Sequence, residues 1–134
     1  MWPDVGKLVL TFDPECPILD ADVGRGHFRG HGQTYFPVKE LGDFLAGLRA
    51  YPLQRANLTL KTPGVIAIAV FPADGVGHLS VQVDVAESIE ARDLARVRLR
   101  TDYSRITRFA DQLSLMAKGE ITEIILEEDK TFGG

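Results

Sequence analysis

Two consecutive segments alternate apolar and polar residues almost without interruption, and this constrains the fold more than any other feature of the chain. In GHLSVQVDVAE (77–87), Leu79, Val81, Val83 and Val85 fall on one side and Ser80, Gln82 and Asp84 on the other. In LARVRLRT (94–101), Ala95, Val97 and Leu99 alternate with Arg96, Arg98 and Arg100. Successive side chains of a strand point to opposite faces, so each segment reads as a strand with one buried face. Joined by the short polar stretch 88–93, the two are expected to pair antiparallel.

The same periodicity marks further strands at KLVLTF (7–12), NLTLK (57–61) and the β-branched stretch ITEIILEE (121–128). VIAIAVFP (65–72) is apolar on both faces, as a central strand covered on each side, or one packed tightly under a helix, would be. PECPILDAD (14–22) reads as a loop because its prolines oppose regular pairing. VGRGHFRGHGQTYF (23–36) reads as two strands meeting near Gly30 or Gly32.

Two segments switch to helical spacing. Leu41, Phe44, Leu45 and Leu48 share one face of a helix that begins near Pro37 and stops at Pro52. Tyr103, Ile106, Phe109, Ala110, Leu113 and Met116 line a second, capped by Thr101 or Asp102 and ended by Gly119. The tail DKTFGG is expected to fray.

With 134 residues there is room for one core, so residues 1–134 are expected to form a single α+β domain. The expected architecture is a two-layer sandwich: a mainly antiparallel sheet of seven to eight strands with both helices on one face. A shift of 65 residues superposes Leu41, Phe44 and Leu48 on Ile106, Phe109 and Leu113, which suggests an internal βββαβ duplication.

No secretory leader or apolar run of membrane-spanning length is visible, and the single Cys16 allows no internal disulfide, so a soluble cytoplasmic protein is expected. The formal charge of −4 argues against nucleic acid and anionic membranes as partners. That charge is uneven: residues 92–108 carry +4, whereas the flanking segments carry −4 each. Within the basic segment Arg96, Arg98 and Arg100 share a strand face, and Arg105 and Arg108 follow in the second helix. Arginine forms bidentate pairs with carboxylates, so these five residues are the expected contact surface for an acidic protein partner. A sheet left open on one face also suits a homodimer. The simpler reading is a solvated sheet face neutralised in part by Asp84.

Other candidate sites are weaker. Gly24 to Gly32 combine glycines with Arg25, His27, Arg29 and His31, and a small hydrolase or lyase would use His27 and His31, with Arg29 beside them. Two histidines leave a zinc site short of ligands, and in an extended strand they would lie about 13 Å apart. A hairpin explains the glycines equally well. Asp13, Glu15, Asp20 and Asp22 could collect calcium, but they lack the spacing of a calcium loop. Cys16 would be reactive only with a neighbour that lowers its pKa. A small-ligand site between the helices and the sheet is a further alternative. No cofactor or metal is implied.

The segments FPVKELGDFLAGLRAYP and TDYSRITRFADQLSLMAKGEITEIILE resemble small bacterial proteins of unknown function and immunity proteins of the WapI type, through an L-x-x-F-x-x-x-L helix set in a sheet-forming chain. The resemblance implies a non-enzymatic protein that binds and neutralises a toxin; it transfers no functional residue.

Overall fold

The computed structural model describes residues 5–36, 40–88, 90 and 93–128. Its elements are β1 (Lys7–Asp13), β2 (Ile18–Arg25), β3 (Phe28–Tyr35), α1 (Leu41–Arg49), β4 (Ala56–Leu60), β5 (Val65–Pro72), β6 (His78–Ala86), β7 (Ala95–Asp102), α2 (Tyr103–Ala117) and β8 (Glu123–Glu127). The alternation in β6 and β7 is realised as read: Leu79, Val81, Val83, Val85, Val97 and Leu99 are buried, and Asp84 pairs with Arg96 in an antiparallel register. PECPILDAD is not all loop, since β2 starts at Ile18, directly after Pro17. There Leu19, Ala21 and Val23 alternate with Asp20 and Asp22, a strand pattern that the preceding prolines obscure. The expected helix start at Pro37 lies outside the described residues, as do the tail beyond Glu128 and part of the loop between β6 and β7.

The strands form two four-stranded antiparallel sheets, β3-β2-β1-β8 (sheet A) and β4-β5-β6-β7 (sheet B), rather than one sheet of seven to eight strands. Covering capacity accounts for the difference. Two helices of about 10 Å diameter shield about 20 Å, whereas eight strands at about 4.8 Å spacing would span about 38 Å. Turning the sheets towards each other buries the apolar strand faces that the helices cannot reach. β3 lies against β5, β6 and β7, and β2 against β6 and β7. The helices pack on each other, α1 resting on β4 and α2 on β7 and β8. Phe44, Leu48, Phe109, Leu113 and the inner faces of both sheets share a single core.

Gly30 and Gly32 permit the close approach of the sheets. A Cβ on Gly30 would collide with Ala95 and Val85, and one on Gly32 with the carbonyl oxygen of Val65. They are therefore strand residues, not the expected turn. The turn is Gly26-His27, where Gly26 takes φ 59° and His27 does not need a positive φ. Near the far end of β3 the Tyr35 N–H donates to the Thr62 carbonyl (2.9 Å) and the Gly64 N–H to the Gln33 carbonyl (2.8 Å), stitching sheet A to the start of β5.

β5 is buried on its inner face by Ile66, Ile68 and Val70, while small Ala67 and Ala69 turn outward. The strand is thus interior to sheet B, as expected, and its outer face is apolar through alanines, of which Ala69 is itself buried. Asp102 caps α2 by accepting from the Arg105 N–H (2.9 Å), and Gly119 follows it at φ 76°. Exchanging the halves maps β1-β2-β3-α1-β4 onto β5-β6-β7-α2-β8, because the last strand of each half pairs with the first strand of the other. None of the helices among the described residues is long and apolar enough to cross a membrane.

Candidate functional site

The ladder in sheet B sets cross-strand rows on its outer face, among them Thr59–Ala67–Asp84–Arg96, Asn57–Ala69–Gln82–Arg98, Phe71–Ser80–Arg100 and His78–Asp102. Arg96 makes a bidentate pair with Asp84, Nε to Oδ1 at 2.8 Å and Nη2 to Oδ2 at 2.9 Å, and this carboxylate raises the guanidinium pKa further. Arg98 Nε donates to the Gln82 amide oxygen (2.9 Å), so its charge is oriented but not neutralised by that contact. Arg55, just before β4, stacks over the Phe71 ring at 5.0 Å from its centroid. Between these cations Ala67 and Ala69 floor a shallow trough of about 170 Å³, bordered by Arg55, Asn57, Thr59, Gln82 and Asp84. Alanine at both central positions is what makes the depression.

Arg105 and Arg108 occupy another setting. They line a groove of about 370 Å³ between α2 and β8, and Arg105 is paired with Asp102. The expected five-arginine surface therefore divides between a sheet face and a helix–strand groove.

The opposite outer face, on sheet A, is acidic. Its rows are Glu123–Thr11–Asp20–Gln33, Ile125–Val9–Asp22–His31 and Glu127–Lys7–Gly24–Arg29. Asp20 accepts from Gln33 (3.1 Å) and contacts His31 Nε2 (3.0 Å), while Arg29 approaches Asp22 at 3.7 Å. The proposed calcium ligands are thus spread over a loop and a paired strand. Among the described residues no group of three or more His, Cys, Asp or Glu is arranged to hold a metal.

His27 and His31 do not converge: His27 is exposed in the β2–β3 turn, and His31 projects from β3 beside Asp20. Among the described residues no serine or threonine hydroxyl and no cysteine thiol is hydrogen-bonded to His31, as nucleophilic catalysis would require. His31 and Arg29 instead border a cleft of about 480 Å³ between β3 and the β6–β7 end, rimmed by the exposed Phe28 and Leu94. Cys16 is exposed, and the neighbouring Asp13 carboxylate raises its pKa, which disfavours the thiolate. The region between helices and sheets is filled by Phe44, Phe109, Ile106 and Leu113.

One cluster was not anticipated. Glu128, just beyond β8, accepts at Oε1 from the Gly6 N–H (3.0 Å) and Arg25 Nε (3.0 Å), and at Oε2 from Arg25 Nη2 (2.8 Å) and the Arg100 N–H (3.4 Å). Arg25 Nη2 also donates to the Arg98 carbonyl (2.8 Å). The ion pair thereby occupies the outer edge of β7 and ties the sheets together. Partial burial opposes the charge on Glu128, but the Arg25 hydrogen bonds, the backbone donors and the Arg25 charge outweigh it, so its pKa is lowered. With Arg25 and Glu128 separated by 103 residues, no local pattern could have revealed the pair. A second unforeseen contact, His78 Nδ1 to Asp74 Oδ2 at 2.6 Å, braces the β5–β6 loop.

No protein-family profile matches the chain, and neither a search of curated proteins nor one of solved structures finds a match.

Proposed function

We propose that the chain is a non-enzymatic protein-interaction domain, immunity-like or regulatory in role, which takes up an acidic protein partner on the outer face of sheet B. The supporting observation is the row of Arg96, Arg98 and Arg100 beside a trough in which Asp84 is the one carboxylate among the described lining residues. The WapI-type resemblance favours the same class of function.

We also read the domain as a duplicated βββαβ unit. Pair registers match when β1 is advanced by 58 residues onto β5, β2 by 62 onto β6, β3 by 65 onto β7 and β8 set back by 66 onto β4, so that Leu10↔Ala21 corresponds to Ile68↔Val83 and Leu10↔Ile124 to Ile68↔Leu58. This equivalence bears on function. The positions of Arg96, Arg98 and Arg100 correspond to His31, Gln33 and Tyr35 in the first half. The equivalent strand of the first half carries no arginine at these three positions, which supports a binding role for the ladder.

The test places a photo-cross-linking residue at Ser80, identifies the captured protein, and then titrates it against wild type and the triple variant Arg96→Ser/Arg98→Ser/Arg100→Ser at about 50 and about 300 mM salt. Binding is expected to weaken about tenfold or more in the variant and at the higher salt. A captured partner whose affinity ignores both changes overturns the reading.

A further inference from the structure

The open edge of sheet A offers a second surface, independent of the arginine face. β8 pairs with β1 on one side only. The Glu128 N–H donates to the Gly6 carbonyl and the Phe12 N–H to the Thr122 carbonyl, which places Leu126 and Ile124 among the residues bonded to β1. Backbone groups alternate in direction along an antiparallel strand, so the N–H and C=O groups of Glu123, Ile125 and Glu127 point away from the sheet. Among the described residues nothing pairs with them.

This edge borders the groove of about 370 Å³, in which Arg105, Arg108 and Gln112 of α2 face Ile125 and Leu126 of β8 over Phe109. Arg105 is held at the groove by Asp102, and Arg108 makes no ion pair with any described residue. The other half provides an internal comparison. Gly47 stands where α2 has Gln112, and a Cβ there would come within 2.9 Å of Ala56, so α1 sits directly on β4. Glu40 and Asp43 take the places of Arg105 and Arg108, and Lys61 that of Glu127. Among the described residues of the first half, no arginine stands where Arg105 and Arg108 line the groove of the second.

We propose that β8 and α2 form a docking groove for an extended acidic segment of a partner protein, which adds to sheet A as a fifth strand. Backbone hydrogen bonds to Ile125 and Glu127 would supply affinity, and acidic side chains on the α2 side would meet Arg108 and Arg105. A second copy of this strand is a poor occupant: antiparallel pairing about Ile125 sets Glu123 opposite Glu127 twice.

The probe is a fluorescent peptide of about ten residues alternating glutamate and valine. When its glutamates face α2, the valine N–H groups face β8. N-methylating those valines is expected to weaken binding about tenfold or more, as loss of one or two net hydrogen bonds requires. Arg105→Ser/Arg108→Ser and a lysine-for-glutamate peptide should weaken it comparably, whereas the triple serine variant of sheet B should not. Ile125→Pro removes an outward N–H that the β1 ladder does not use and should also abolish binding. Slowed exchange of the Ile125 and Glu127 amides would place the peptide on the edge. Absence of binding, or binding indifferent to N-methylation, overturns the proposal; the methylated peptide decides this on the unaltered protein.

Discussion

Replacing Glu128 by glutamine removes one charge from the clamp that holds β1, β2 and β7 together. The amide keeps the shape of the carboxylate, but one of its ends is a donor facing the Arg25 guanidinium, so the bidentate arrangement is lost. Hydrogen bonds to charged groups contribute about 1.5–3 kcal/mol each, and an exposed ion pair about 0–1 kcal/mol. The side chain of Glu128 is 19% exposed and that of Arg25 41%, which places the pair between these limits. The expected loss is about 2 kcal/mol, or about 6–8 °C in Tm for a domain of this size. Because the folded-state pKa of Glu128 is lowered, its contribution is complete above the unfolded value near 4.5 and fades as pH falls through the folded value. Urea unfolding of wild type and Glu128→Gln should therefore differ at about pH 7 and converge as pH falls through the lowered folded-state pKa of Glu128. A difference below about 0.5 kcal/mol at neutral pH, or one that persists unchanged in acid, would refute the assignment of this carboxylate as an ionised clamp.

Gly32→Ala should destabilise the fold by about 3 kcal/mol and Gly30→Ala by about 1–3 kcal/mol, because the new methyl meets backbone in the first case and side chains in the second; equal, negligible losses in denaturation would show that the sheets are less closely apposed. Gly42→Ala, with nothing near its Cβ, should stabilise α1 by about 0.5–1 kcal/mol and serves as the contrasting measurement. Phe44→Ala and Phe109→Ala should each cost about 3–5 kcal/mol, since both rings are 1% exposed, and a loss under about 1 kcal/mol would contradict that packing. Replacing Arg96, Arg98 and Arg100 together by serine should change stability by no more than about 1.5 kcal/mol in the same assay, a larger loss meaning that the ladder supports the fold.

What could be read in the sequence was what depends on neighbours along the chain. The two amphipathic helices, their buried faces, the Asp102 cap, Gly119 and the pairing of β6 with β7 all follow from periods of two or 3.6 residues and from local capping chemistry. The strand β2 was missed because prolines at 14 and 17 dominate its approach, although its own alternation begins immediately afterwards. Gly30 and Gly32 were assigned to a turn because a glycine that accommodates another sheet has the same sequence signature as one that supplies a positive φ. The division into two sheets depends on which strand edges meet across long separations, and residue alternation carries no such information. The arginine ladder was legible as a shared strand face, whereas its separation from Arg105 and Arg108 follows from the path of α2 towards β8.

An acidic partner is compatible with a chain of net charge −4 because that charge is segregated. Asp13, Asp20, Asp22, Glu123 and Glu127 lie on the outer face of sheet A, with Lys7 and Arg29 as counter-charges, whereas Arg96, Arg98 and Arg100 dominate the outer face of sheet B. The sheets turn their inner faces to one core, so these outer faces look in opposite directions. Packed sheets lie about 10 Å apart, and side chains on both sides bring the separation of the charged layers to about 20 Å. At about 0.1 M salt the screening length is about 10 Å, so an approaching carboxylate near sheet B senses the arginines and little of the acidic layer behind them. At about 0.01 M that length grows to about 30 Å and the repulsion of the whole molecule reaches the same point. Orientation, not net charge, therefore governs the encounter at moderate ionic strength, and the arginine face presents the attractive side to an acidic surface.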